Sequence, residues 1–435
     1  MTEFSRRRLM QLTAAGALAA GAAPEIALAA YKPMLPIEKG AHLQMLRWTG
    51  FVGADDKQWK LNSEAFTKAT GVPVSIQEIS WDEVQAKSGL AAQLGSGPDI
   101  IMGFYDDPFI YPDKLVDVSD VCGYLEKKYG GFYNIARTYG YDDAQKRWIA
   151  VPIGGPGDAV AYRESWVKEA GYDTFPKDFD GFLDLSRKLK KQNHPIGLAL
   201  GHAVGDANTW THWVLWGFGG QQVDENNKVT IESKETYEAL KYAKALYETM
   251  IPGVSSWLDI NNNQAFLAGQ ISATINGISI WYVAKEKFPE IYKDTRNAPM
   301  PVGPVGHQTM FNLFSQAFIF KYSKYPNAAK EYLRFMSEKP QMAPWLTAMF
   351  GYVTPALKDY AKLPIWTSNP NITPYRDALV DNLPEGYAGK PGRAAATALN
   401  DFVIVNMFAD VCVHGTAPQE AAKRAAQQLR EIYGA

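Results

Sequence analysis

The stretch Ala150-Val-Pro-Ile-Gly-Gly-Pro-Gly-Asp-Ala-Val-Ala-Tyr-Arg163, followed by Glu164-Ser-Trp-Val-Lys-Glu-Ala-Gly171, decides the fold. Two short apolar runs, residues 150–153 and 159–162, flank a Gly-Gly-Pro-Gly centre. The runs predict strands and the centre predicts a bend or bulge. A short helix follows and ends at Gly171, a residue suited to a C-cap. Such a stretch can carry the chain from one lobe to another, its glycines absorbing dihedral change if the lobes move. The plainer alternative is one strand with a bulge.

Upstream, residues 43–48 predict a strand, 55–70 a helix and 72–76 a second strand. A helix starting at Asp82 runs to residue 94, and residues 98–102 form a third strand. This β-α-β-α-β order implies a parallel sheet with helices on both faces, and ligands meet such sheets at the carboxyl ends of the strands. Those ends are Trp48-Thr49-Gly50, Ile79-Ser80-Trp81 and Phe104-Tyr105-Asp106-Asp107. One rim therefore gathers aromatics and carboxylates.

Downstream, helices are expected over 176–191, 206–219 and 234–249, with a strand over 196–200. The helix 206–219 carries Trp210, His212, Trp213 and Trp216. Trp210 and Trp213 share a face, as do Trp213 and Trp216, and such a stripe suits a core as well as a ligand platform. A helix beginning at 261 leads to a strand ending at Asn276-Gly277, with Trp281 beyond. Strands are expected over 298–302 and 318–320. Pro301, Gly303, Pro304 and Gly306 between them mark a candidate second crossing. Helices over 326–339, 342–350, 394–413 and 418–433 close the chain.

At 435 residues the length suits two or three domains. A hydrophobic share of 46% and a charged share of 21% are those of a globular protein, and a net charge of −2 leaves no nucleic-acid footprint. The 12 Trp, 23 Tyr and 20 Phe supply flat faces for a stacking cleft. Ser5-Arg6-Arg7-Arg8-Leu9-Met10, a moderately apolar run and Ala27-Leu28-Ala29 resemble a twin-arginine export signal over residues 1–29. Without a cysteine near the cleavage site no lipid anchor is expected, and the exported protein is placed in a periplasm. Cys122 and Cys412, far apart in sequence and each in apolar surroundings, are expected as two buried free thiols rather than a disulfide.

The ordered set of motifs resembles the extracellular solute-binding proteins of bacterial ABC importers, the type that includes maltose-binding protein. The resemblance rests on Trp48-Thr-Gly, Phe66-Thr-Lys-Ala-Thr-Gly-Val-Pro-Val74 and Gly95-Ser-Gly-Pro-Asp-Ile-Ile101. It continues through Val151-Pro-Ile153, Tyr162-Arg163, Ala265-Phe-Leu-Ala-Gly269, Pro326 to Met336, Gly351-Tyr-Val-Thr-Pro355 and Pro418 to Leu429. The resemblance implies an α/β, two-lobed periplasmic-binding-protein fold (type II), each lobe a mainly parallel sheet flanked by helices, joined by hinge crossings. It implies an N-lobe from 40–152 plus 307–360 and a C-lobe from 153–306 plus 361–435. It also implies a small-molecule carbohydrate ligand, delivery to ABC permease subunits, a monomer, and neither cofactor nor catalysis.

By position, Trp48, Thr49, Trp81, Asp82, Tyr105, Asp106, Asp107, Trp210, Trp213 and Asn276 match cleft segments, and Asp158 lies just past the first hinge. Gln316 and Arg393 are further candidates. Family members often carry a Trp two residues after the glycine of the 276–277 turn; here the aromatic is Trp281. A sugar needs aromatic platforms beside planar polar groups, and these residues supply both. Acidic residues on the rim disfavour an anionic ligand. They leave open a polyamine or other small cation, and a secreted glycoside hydrolase with Asp106 and Asp158 as its carboxylate pair. No metalloprotease, nucleophile-elbow, phosphate-loop or Cys-x-x-Cys motif occurs.

Overall fold

The computed structural model describes residues 31–434, so the expected export signal over 1–29 lies outside the described residues. The first strand, β1 (Leu43–Trp48), leads to helix α1 (Gly53–Thr70), which buries Trp59 and Phe66 and ends where Gly71 adopts φ 77°. Strand β2 (Val74–Ile79) pairs in parallel with β1 from Leu43↔Val74 to Trp48↔Ile79. Helix α2 (Trp81–Leu94) and β3 (Ile100–Phe104) complete the β-α-β-α-β unit, with β3 parallel to β1. β3 is buried at every residue, the mark of a strand covered on both faces.

The chain then enters β4 (Val151–Gly155) and, after three residues, β5 (Ala159–Arg163). Helix α3 (Phe179–Lys191) is capped by Asp178, whose carboxylate accepts the Gly181 N–H at 2.8 Å. Helices α4 (Asp206–Gly217), α5 (Lys234–Tyr247) and α6 (Asn261–Leu267) precede β6 (Ala273–Asn276). Helix α7 (Ser279–Lys287), β7 (Thr295–Ala298), β8 (Ser315–Ile319) and β9 (Thr354–Pro355) follow. Helices α8 (Arg393–Asn400), α9 (Val403–Cys412) and α10 (Pro418–Tyr433) close the chain; α9 packs on α4 and α5, α10 on α5, and α8 on α9 and α10.

Two sheets result. The larger has the order β9-β4-β8-β3-β1-β2 and the smaller β6-β5-β7. β4 sits in the larger sheet and β5 in the smaller, so residues 156–158 cross between them. Residues 299–314 cross back from β7 to β8. The glycines of the first crossing answer to close approach. Gly154 has φ 135° and a Cβ there would lie 2.1 Å from the Thr354 carbonyl; at Gly155 it would lie 1.8 Å from that of Leu313. At Gly157 a Cβ would stand 2.5 Å from Ala378 Cβ. Gly157→Ala is therefore expected to lower stability by about 1–3 kcal/mol, read as a lower denaturant midpoint at unchanged slope.

The two-lobed α/β architecture is as the resemblance implies, with local differences. The larger sheet is parallel only through β2-β1-β3, since β8 runs antiparallel to both β3 and β4. In the smaller sheet β5 runs opposite to both neighbours. The strand expected over 298–302 ends at Ala298, because Pro299 and Pro301 offer no N–H to a ladder. Residues 196–200 keep one bridge, Ile196 to Met250, and no regular strand. Trp257 lies against Gly197 and Gly201 there, where no Cβ fits. The helix expected over 394–413 breaks at Asn400-Asp401, and Phe402 takes φ 53° with its ring stacked on His202. Cys122 and Cys412 are both buried and unpaired.

Candidate functional site

Where the two crossings meet, the lobes face each other across a narrow cleft. The first crossing contributes Pro156 and Asp158, and α4 contributes Asp206 and Thr209 with Gly205 before it. The loop before α6 brings Asp259, and the end of β6 brings Asn276, Gly277 and Ser279. The larger-sheet lobe adds Phe51, Trp81, Leu313 and Tyr352. Between these walls only about 40 Å³ is wide enough to admit a water molecule. A wider cavity of about 700 Å³ opens on the other side of Asp158, bordered by Asn297, Met300, Gln308, Thr373 and Asp377. Asp158 belongs to both.

Each polar wall has its own support. Asp158 is 8% exposed; Thr209 Oγ1 donates to its Oδ2 at 3.1 Å, and its own N–H donates to Asn312 Oδ1 at 2.7 Å. Asp259 Oδ1 accepts the N–H groups of Gly205 (3.1 Å) and Asp206 (2.7 Å), fixing the start of α4. Asn276 Nδ2 donates to Asn262 Oδ1 at 3.1 Å and Asn263 Oδ1 at 2.7 Å, and its Oδ1 accepts from Ser279 at 3.1 Å. On the opposite wall the Trp81 ring lies flat on Trp48, centroids 4.7 Å apart and planes 4° apart, with Phe51 edge-on at 5.6 Å. Trp48 thus backs the platform that Trp81 offers.

Burial raises the carboxyls. Asp158 is pushed up to about 7, opposed by the Thr209 hydrogen bond and reinforced by the charge of Asp259. Asp259 is pushed up to about 6 by burial, against the amides that it accepts. Asp206 is raised well above the carboxylate range by burial and then by Asp259 and Asp158.

Of the residues singled out in sequence, Trp81, Asp158 and Asn276 line the cleft. Asp82 is exposed at the start of α2, where Ser80 Oγ donates to it. Thr49 Oγ1 donates to Asp56 instead of facing the cleft. Tyr105 is buried, stacked on Phe311 with its hydroxyl donating to the Val204 carbonyl. Asp106, 1% exposed, accepts the Gly392 N–H while its own N–H donates to Glu385. Asp107 caps a turn by accepting Phe104 N–H and Gln85 Nε2. Trp210 and Trp213 are inside the smaller lobe, their indole N–H groups donating to Ala199 and Pro301 carbonyls. Trp281 packs on Tyr292 and Phe350, Gln316 is buried with its amide on the Tyr105 carbonyl, and Arg393 borders a separate surface groove. Phe51, Asp206, Thr209, Asp259, Ser279 and Tyr352 were not singled out. Asp206 and Thr209 sit one turn before the tryptophan stripe, a signal that could have marked them.

The sequence profile of the bacterial extracellular solute-binding protein family matches residues 63–374, and the chain belongs to that family. YcjN of Escherichia coli (strain K12), provisionally named an ABC transporter periplasmic-binding protein, is 21% identical over 312 residues, 69% of each chain. Among solved structures, maltose-bound T. maritima MalE3 superposes with a TM-score of 0.78 at 21% identity, covering 90% of this chain and all of that one. An ABC transporter solute-binding protein from Thermotoga lettingae, bound with α-D-tagatose, gives 0.77 at 18% identity over 91% of this chain and all of that one.

Proposed function

We propose that the chain binds a mono- or oligosaccharide between its lobes and delivers it to the permease of an ABC importer. The observation that carries this is the pairing, across one cleft, of the Trp81 platform with Asp158, Asn276 and Ser279. An indole face suits the C–H face of a sugar ring, and carboxylate and amide groups suit its hydroxyls. The sugars held by the MalE3 and T. lettingae proteins support the same reading. The cleft is too narrow for a ring, so binding requires the crossings at 156–158 and 299–314 to let the lobes part; the wider cavity beyond Asp158 leaves room for further rings. The lobes are 40–155 with 307–360 and 156–306 with 361–435, the first boundary moved from the expected 152/153 because Gly154 and Gly155 pair within the larger sheet. The protein acts as a periplasmic monomer exported by the twin-arginine route, without chemistry on its cargo. Asp106, tied to Gly392 and Glu385, is not placed to pair with Asp158 as a hydrolase would require.

Thermal-shift screening of the mature protein against sugars, followed by calorimetry, tests the reading. At a hundredfold excess over Kd a bound sugar adds about 2.7 kcal/mol of stability. Trp81→Ala is expected to weaken the sugar by about 1–3 kcal/mol. Hydrolysis of the sugar, or equal affinity in the variant, would contradict it.

A further inference from the structure

We infer that the preferred cargo is a sugar carrying a protonated amine, an inference that rests on the carbohydrate reading above. The cleft and the wider cavity joined to it at Asp158 are bordered by five carboxylates, Asp158, Asp206, Asp259, Asp377 and Asp381, and by no Lys, Arg or His. In the cleft the first three lack a cationic partner. Asp158 and Asp259 are 8% and 7% exposed, so both are withdrawn from solvent. Asp158 takes a hydrogen bond from one hydroxyl, and Asp206 Oδ2 accepts none among the described residues. Elsewhere buried carboxylates are either ion-paired, as Asp55 is by Arg47 at 2.7 Å and Glu331 by Arg334 at 2.8 Å, or closed off by backbone amides and neighbouring side chains, as Asp106 and Asp107 are. The carboxylates of the cleft differ from both kinds in bordering open space between the lobes.

Neutral hydroxyls can donate to the three carboxyls, but they leave in place the mutual repulsion that, with burial, holds back their ionisation. An ammonium supplies three donors and removes that repulsion, and in a low-dielectric gap the Coulomb gain is larger than in water. The aromatic rings of Phe51, Trp81 and Tyr352 add faces that attract a cation. Among the described residues no three acidic or His and Cys side chains converge closely enough to ligate a metal ion. The spread charge therefore suits an organic cation, with the amine near Asp158 and Asp206 and the ring against Trp81. At the edge of the wider cavity Arg376 is ion-paired to Asp377 and offsets that one charge, while the charges nearer the cleft do not cancel its field. Asp82 adds to that of Asp259, and Asp55 and Asp56 are already engaged by Arg47.

The test is calorimetry on the mature protein with glucosamine, galactosamine and the deacetylated glucosamine disaccharide, each beside its N-acetyl form and its neutral parent sugar, with putrescine and spermidine as sugar-free amines. At pH 7.5 the amine-bearing member of at least one set is expected to bind tenfold or more tightly than its neutral partners. Its advantage should shrink toward pH 5, as Asp158 and Asp259 take up protons. Asp158→Asn should weaken the amine-bearing sugar by a larger factor than its neutral partner, so that the amine's advantage shrinks. Neutral sugars binding as well as or better than amines would overturn the inference and leave the carbohydrate reading standing. Amines without a sugar ring binding alone, or no carbohydrate binding in any set, would overturn both.

Discussion

Trp213→Ala is expected to lower the stability of the protein by about 3–5 kcal/mol and to leave its affinity for cargo unchanged. The side chain is fully buried. Its ring meets Phe179 edge-on at 4.6 Å and Phe182 at 6.1 Å, joining α4 to α3. Its indole N–H donates at 3.0 Å to the Pro301 carbonyl, within the second crossing. Truncation therefore removes an aromatic core contact, leaves a cavity and strips a buried carbonyl of its donor. The cleft is lined one and two turns earlier on the same helix, by Thr209 and Asp206. Chemical denaturation reads the stability, and calorimetry at a temperature where the variant stays folded reads the affinity. A variant of native stability that loses its ligand would place Trp213 in the site and reverse this assignment.

The same helix shows what was legible in the sequence. Periodicity told correctly that Trp210, Trp213 and Trp216 lie on shared faces, because helical spacing fixes which side chains neighbour one another. It could not tell whether that face meets a core or a ligand, since indoles serve both. The crossing at 154–157 was legible for a stronger reason. Three glycines, 154, 155 and 157, stand together around Pro156 where Thr354, Leu313 and Ala378 press on the backbone. Asp259 and Tyr352 were not legible. Asp259 stands in a loop whose local sequence resembles any turn, Tyr352 stands in the Gly351–Pro355 motif without a local sign that it faces a cleft, and only long-range folding brings them opposite Asp158. Asp106 and Asp107 show the converse: both stand at a strand's carboxyl end, yet both are consumed by backbone amides and neighbouring side chains. The antiparallel smaller sheet escaped because an apolar run gives a strand without its direction.

Asp158→Asn is expected to stabilise the protein in the absence of ligand, by an amount that grows with pH. The sign follows from the upward displacement of the Asp158 carboxyl, from 3.8 to about 7, caused chiefly by burial. Below about pH 4 the carboxyl is protonated folded and unfolded, and the variant gains nothing. Between there and pH 7 the folded state holds a proton that the unfolded state has released. The wild type then loses up to about 1.4 kcal/mol per pH unit relative to the variant. Above pH 7 the group is ionised in both states, and the difference levels off on the order of 4 kcal/mol. Taking the difference between the two proteins removes other titrations, including His212, whose burial lowers it to about 4 and gives the opposite slope. Denaturation midpoints at pH 4, 6 and 8 give the curve. A difference that does not change with pH would mean that Asp158 is solvated, and its cost and its pull on a ligand would both fall away. A rising difference would identify a residue kept at the expense of stability, at the junction of both cavities, where a positively charged cargo would return what its ionisation costs.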